Sequence, residues 1–185
     1  VPRSGGDVSG LIAQPVYVSN VMPMHGALGR GSVSTGLSPG SSAFPSANLA
    51  LFMPLFLPSP YVMRRIGWQN GTTVAATNHI DIGIYTDGGT KIYSTGSTVQ
   101  GSASALQSVA LATPMTLPAG VYYWGFQCDT AVATFQRYAV SVIGGRLMGY
   151  LQQAVGSFGL PSVMTPVAYA QAYAPHCWMS WHPSY

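Results

Sequence analysis

A chain of 185 residues is long enough for one domain that buries roughly 70% of its unfolded surface, so it needs neither a disulfide framework nor a structural metal to fold. Only 6% of its residues are Asp, Glu, Lys or Arg, and Glu is absent; an average globular protein has about 25%. The six Arg and one Lys are scattered, with Arg64-Arg65 as the adjacent pair, so the basic stripe that grips a phosphate backbone is missing and no nucleic-acid partner is expected.

The opening VPRSGGDVSG lacks the basic and apolar pattern of a signal peptide. Residues 1–47 are dense in Gly, Ser, Pro and Met with weak apolar periodicity, and residues 29–46 (GRGSVSTGLSPGSSAFPS) read as irregular chain. This region is expected to be an extended N-terminal arm ahead of a domain over residues 48–185. Residues 11–21 (LIAQPVYVSNV) carry enough β-branched character to pair as a strand, on a neighbouring subunit or on their own domain, with disorder as the other reading.

From Asn48 the pattern tightens. Residues 49–57 (LALFMPLFL) form a first strand; at nine residues, broken by Pro54, they fall short of the roughly 20 that a membrane-spanning helix needs, and no membrane partner is expected. A Pro-Ser-Pro bend leads to a second strand over residues 61–69, in which alternation forces either Arg64 or Arg65 inward or toward an edge. Asn70-Gly71 has the residue types of a tight turn, which also accounts for its match to a glycosylation acceptor (Asn-Gly-Thr). Ile80, Ile82 and Ile84 alternate with Asp81, Gly83 and Tyr85, Asp87-Gly88-Gly89 closes a hairpin, and residues 91–94 return.

A Gly/Ser-rich loop over residues 96–104 leads to a strand from Leu106, and Leu117-Pro118-Ala119-Gly120 turns the chain. Residues 121–128 (VYYWGFQC) suit a central strand, with residues 134–143 as its antiparallel neighbour. Residues 146–154 are the one candidate for a short helix, and the Pro-rich tail holds strand-capable runs at 163–173 and 176–181. Seven or eight short strands with regular turns describe an all-β fold, an antiparallel β-sandwich of jelly-roll type.

The chemistry-bearing residues are few. Of the four Asp residues, Asp81 and Asp129 are the conceivable acid/base pair for glycoside hydrolysis, which needs two carboxyls held about 5 to 9.5 Å apart; the expectation for Asp81 is a solvated strand position. His176, Cys177 and His182, with Cys128, are the nearest thing to a zinc set but lack paired ligand spacing, and the two cysteines read as buried thiols. No GxSxG elbow or phosphate-binding loop occurs, so no catalytic residue, cofactor or metal is assigned and no enzymatic activity is expected. Trp68, Tyr85, Tyr93, Trp124, Trp178 and Trp181, with Tyr122 and Tyr123, are candidate aromatics for subunit interfaces or for stacking on a glycan. A surface this poor in charge is prone to association, which points to a homo-oligomer or a larger assembly.

The run IDIGIYTDGGTKIYSTGSTVQGSASALQSVAL, followed by LPAGVYYWGF, resembles a module of minor structural proteins of tailed bacteriophages: a GIY strand, a turn, a return ending in an STGST-like stretch, and an LxAGxYY strand. The preceding ANLALFMPLFLPSPYVMRRIGWQNGT is similar to that family's opening. The likeness covers about residues 48–126, under half of the chain, and carries no catalytic residues. It implies a β-sandwich component of a virion (capsid decoration, head fibre or tail component) whose partners are its own copies and other virion proteins. The alternative is a phage domain that binds a host glycan or receptor.

Overall fold

The computed structural model describes residues 17–19 and 40–183. Of the described residues, 53% are strand and 4% helix. In order, the elements are β1 (Tyr17–Ser19), β2 (Gly40–Ala43), β3 (Leu49–Leu57), β4 (Tyr61–Gln69), β5 (His79–Thr86), β6 (Lys91–Ser94), β7 (Thr98–Val99), β8 (Leu106–Leu117), β9 (Gly120–Cys128), β10 (Thr134–Tyr138), α1 (Val142–Leu147), β11 (Leu151–Ala154), β12 (Val167–Ala168), β13 (Ala174–Pro175) and β14 (Cys177–Ser180).

They form an all-β, antiparallel sandwich. One sheet has the order β1-β14-β4-β8, and the sheet facing it has the order β12-β11-β3-β9-β5-β6, with β7 also on β5. A third sheet, β13-β10-β2, is joined to these through the shared core. The core is the predicted alternation made solid: Leu49, Leu51, Met53, Leu55 and Leu57 of β3, Ile80, Ile82 and Ile84 of β5, and Trp124, Phe126 and Cys128 of β9 point inward at Met63, Ile66 and Trp68 of β4. Phe126 meets Phe135 and Trp68 edge to face, with ring centroids 5.0 and 6.5 Å apart. Each such buried aromatic contributes on the order of 2–3 kcal/mol by burial, with about 1 kcal/mol more from the ring geometry.

The predicted bounds of β3 and β4 hold to the residue. The Pro58-Ser59-Pro60 bend carries the chain from one sheet to the other, because β3 pairs with β9 while β4 pairs with β14 and β8. Pro54 lies two residues past the end of the β3–β11 pairing at Phe52, where a missing N–H is tolerated. The Arg64-Arg65 conflict is resolved by a register shift between Met63 and Arg65. Core positions run Tyr61, Met63, then Ile66, Trp68, so both arginines escape the interior; Arg64 is exposed, and Arg65 donates to Ser108 Oγ (2.8 and 3.0 Å) and to the Pro183 carbonyl (3.0 Å).

Several expectations need correction. The sandwich begins at Gly40 rather than Asn48: β2 pairs with β10, and Phe44 is buried in the core. The rest of the expected arm, apart from β1, lies outside the described residues. Asn70-Gly71 is not a hairpin turn. Asn70 forms a β-bridge with Phe135, and its wholly buried amide accepts from Trp68 Nε1 (2.9 Å) and donates to the Ser102 carbonyl (3.1 Å) and to Gln107 Oε1 (3.0 Å), an arrangement that leaves no room for a glycan. β10 does not flank β9, whose two sides are taken by β3 and β5. The short helix spans Val142–Leu147, not residues 146–154: Ser141 Oγ caps it by accepting from Gly144 N (2.9 Å), and residues 151–154 are a strand.

Candidate interaction surface

The outer face of the β3–β9–β5 ribbon carries the second set of alternating side chains: Ala50, Phe52, Pro54 and Phe56 on β3, Val121, Tyr123, Gly125 and Gln127 on β9, and Asp81, Gly83 and Tyr85 on β5. Residues 155–165 strap across one half of this face. The strap is pinned by Val155 N to the Asn48 carbonyl (3.2 Å), Gly159 N to Gln127 Oε1 (2.7 Å), Leu160 N to Asp81 Oδ2 (2.9 Å), and Met164 N to the Gly89 carbonyl (2.8 Å). Beneath it Leu160 packs with Ala50, Phe52 and Tyr85 in a small second core. Gly83 and Gly125, which are cross-strand partners, make the seat. A β-carbon on Gly125 would stand 2.6 Å from Tyr85 Cε2 and 3.2 Å from Leu160 Cδ1, so a larger residue would push the strap off.

Asp81 is therefore the opposite of the solvated carboxylate expected. It is 2% exposed and accepts from Ser94 Oγ (2.8 Å), Gly96 N (3.0 Å), Thr95 Oγ1 (3.4 Å) and Leu160 N (2.9 Å). A carboxylate buried among neutral donors is stable only while those donors stay in place, which makes it a latch between the β5–β6 hairpin and the strap. Lys91 Nζ strengthens the same corner by donating to the Leu160 carbonyl (2.6 Å). Asp129 is held separately: its Oδ1 accepts from His79 N (2.9 Å), and its Oδ2 stands 2.9 Å from His79 Nδ1. Each carboxylate is committed to its own partners, and Asp81 lies under the strap, away from any sugar that could reach the surface.

The other sequence candidates are dispersed. Cys128 and Cys177 are buried thiols on strands of different sheets, not a disulfide; burial pushes the Cys128 thiol up to about 12 and Cys177 well above its ordinary value. His176 Nδ1 stands 3.2 Å from Gln69 Oε1, and burial lowers its pKa. Among the described residues no group of three or more His, Cys, Asp or Glu side chains could hold a metal, and no helix is long and apolar enough to cross a membrane.

Of the eight candidate aromatics, Trp68, Tyr85 and Trp124 are wholly buried and Tyr122 and Trp178 are nearly so, which corrects their expected place on a surface. Trp68 and Trp124 sit in the inner core, Tyr85 lies under the strap on the outer face and Trp178 packs over Gly67, so none offers a face to a sugar or to a partner. Trp124 Nε1 has no hydrogen-bond partner there, whereas Trp68 has Asn70. Tyr93 and Tyr123 are half-buried and Trp181 is 38% exposed.

What the sequence reading missed is the half of the outer face beyond the strap. Phe56 and Val121 are direct cross-strand partners there and are 59% and 46% exposed, beside Pro54 and Tyr123. Gly149 packs on Pro54, which brings the end of α1 toward the Phe56 end of β3, and Leu147 and Ile143 of α1 are 84% and 71% exposed. The signal was present in LALFMPLFL: a strand apolar at every position asks to be covered on both faces. No protein-family model matches this chain, and no curated protein matches it.

Proposed function

We propose that this protein is a non-enzymatic structural component of a bacteriophage virion, a capsid decoration, head fibre or tail component, that acts through contacts among its own copies and with other virion proteins. The observation that carries this reading is the uncovered apolar pair Phe56 and Val121 on adjacent strands, with Leu147 and Ile143 also exposed, on a chain in which only 6% of residues are charged. Apolar side chains grouped in this way lower their free energy when another surface covers them, at about 25 cal/mol per Å² removed from water. The likeness of residues 48–126 to phage structural modules supplies the kind of assembly. A glycan-binding role would have to rest on Tyr93, Tyr123 and Trp181, the candidate rings that reach solvent.

Light scattering of the full chain over a range of concentrations, combined with mass spectrometry of purified phage particles from cells that produce it, tests the proposal. Multimers in solution and the chain in particles at stoichiometric amounts are expected. A single-chain mass throughout, with the protein missing from particles, overturns it.

A further inference from the structure

The edge of the β1-β14-β4-β8 sheet is completed by a piece of chain that does not belong to the sandwich in sequence. Tyr17, Val18 and Ser19 pair antiparallel with Ser180, Met179 and Trp178 of β14. The β14 strand is the part of the sheet that most needs a neighbour: Cys177, Trp178, Met179 and Ser180 are all buried, and its other side is already taken by β4. An unpaired edge of this kind exposes backbone donors and acceptors and is a template for an added strand.

We propose that in the assembled state β1 of one copy docks on β14 of a neighbouring copy, so that the N-terminal segment links subunits by strand exchange. This rests on the structural role proposed above and names the contact through which copies would join. The argument is one of tether length. Twenty residues, 20–39, separate Ser19 from Gly40, where the chain enters β2. Connections within a compact domain are commonly about 4–6 residues long, and twenty is well beyond that. Extended, twenty residues reach up to about 70 Å, whereas a domain of this size has a radius of gyration of about 15 Å.

The β14 edges of the same chain and of an adjacent copy therefore both lie within reach, and the backbone bonds made are the same in either case. What decides between them is local concentration. Twenty residues between β1 and β2 keep a chain's own strand at an effective concentration on the order of millimolar. Isolated chains close on themselves at micromolar concentrations, whereas in a packed array the neighbouring β14 edges compete on equal terms, and each exchange adds a link between subunits without requiring any new kind of contact.

Cysteines at a directly opposed pair report which chain the strand belongs to, because the Cα separation across such a pair suits a disulfide. Tyr17 and Ser180 are opposed, and Ser180→Cys is nearly isosteric. The full-length variants Tyr17→Cys and Ser180→Cys are mixed in equal amounts at a concentration where light scattering shows multimers, then oxidised mildly. The native chain, whose two thiols are buried, is the control. The expected product is a covalent dimer whose linking peptide joins position 17 of one chain to position 180 of the other.

The double variant provides the second measurement and is expected to give cross-linked ladders in multimers and closed monomers on dilution. Multimers in which the mixed variants stay unlinked, while the double variant closes within its own chain or fails to link at all, overturn strand exchange and leave the structural role standing. A single-chain mass at every concentration overturns the structural role itself.

Discussion

The outer face of the β3–β9–β5 ribbon is produced by one alternation yet ends in two different states. Over Phe52, Tyr85, Gly83 and Gly125 the chain lays its own strap, and Leu160 fills the seat that two glycines leave open. Over Phe56 and Val121, farther along the same strands, the side chains face solvent. The covered half contains the buried carboxylate of Asp81 and the uncovered half has no charged side chain on β3 or β9. A strap must be fixed in one register by directional bonds, and a carboxylate accepting from four donors does that. A surface meant to receive a partner needs apolar area without an unpaired charge to bury.

The contrast can be broken most severely at Asp81. Asp81→Ala strands the Leu160 N–H and leaves Gly96 N only its bond to Ser94 Oγ (3.2 Å), and we expect a loss of about 3 kcal/mol in urea unfolding, with fast hydrogen exchange at the Leu160 amide. A loss below about 1 kcal/mol would show that Asp81 is not the latch. Leu160→Ala should cost about 2–3 kcal/mol and make residues 155–165 sensitive to limited proteolysis while the inner core stays protected.

Tyr85→Phe removes the bond from the Tyr85 hydroxyl to the Pro161 carbonyl (2.6 Å) and should cost about 1 kcal/mol. It also carries a pH test. Burial raises the Tyr85 phenol above its ordinary value of 10.0, with the charge of Asp81 adding to the effect. Below pH 10 the phenol is neutral in both folded and unfolded chains, and its contribution is complete; above pH 10 the unfolded chain ionises first, so stability falls as pH rises. Other buried tyrosines follow the same trend, so the Tyr85→Phe variant should lose stability less steeply above pH 10 than the native chain does. Equal slopes would count against a buried Tyr85 hydroxyl.

The smallest expected effect on folding lies in the uncovered half. Phe56→Thr combined with Val121→Thr should move the urea midpoint by no more than about 0.5 kcal/mol equivalent, because both side chains already face water and Thr suits a strand. The same variant should lower the native mass measured by light scattering. An unchanged multimer would show that copies join elsewhere.

The strands were the most legible part of the chain. Apolar alternation with Pro or Gly punctuation marked β3, β4, β5 and the Asp87-Gly88-Gly89 turn, where Gly89 takes a φ of +83° that suits glycine. The errors have one origin, since local residue preferences do not report long-range partners. Asn70-Gly71 has turn chemistry, but Trp68, Ser102 and Gln107 converge on the Asn70 amide and hold it in a bridge. The helix was expected at residues 146–154, yet it starts at Val142 and holds Gly145 inside it, because a β-carbon there would stand 2.5 Å from the Tyr169 ring. Asp81 looked solvated because its partners on the strap are 79 residues away in sequence.

By itself, then, the sequence determined an all-β chain with strands of known parity, little charge, and more apolar strand surface than one interface could bury. Period-2 patterning and composition are local quantities, and they were enough for that. Only the tertiary structure decided which sheet each strand joins, which half of the outer face the chain covers for itself, and that most of the aromatic rings expected at a surface are buried. Those outcomes depend on which distant donors, glycines and rings come within a few ångströms of one another, and no local pattern encodes that distance.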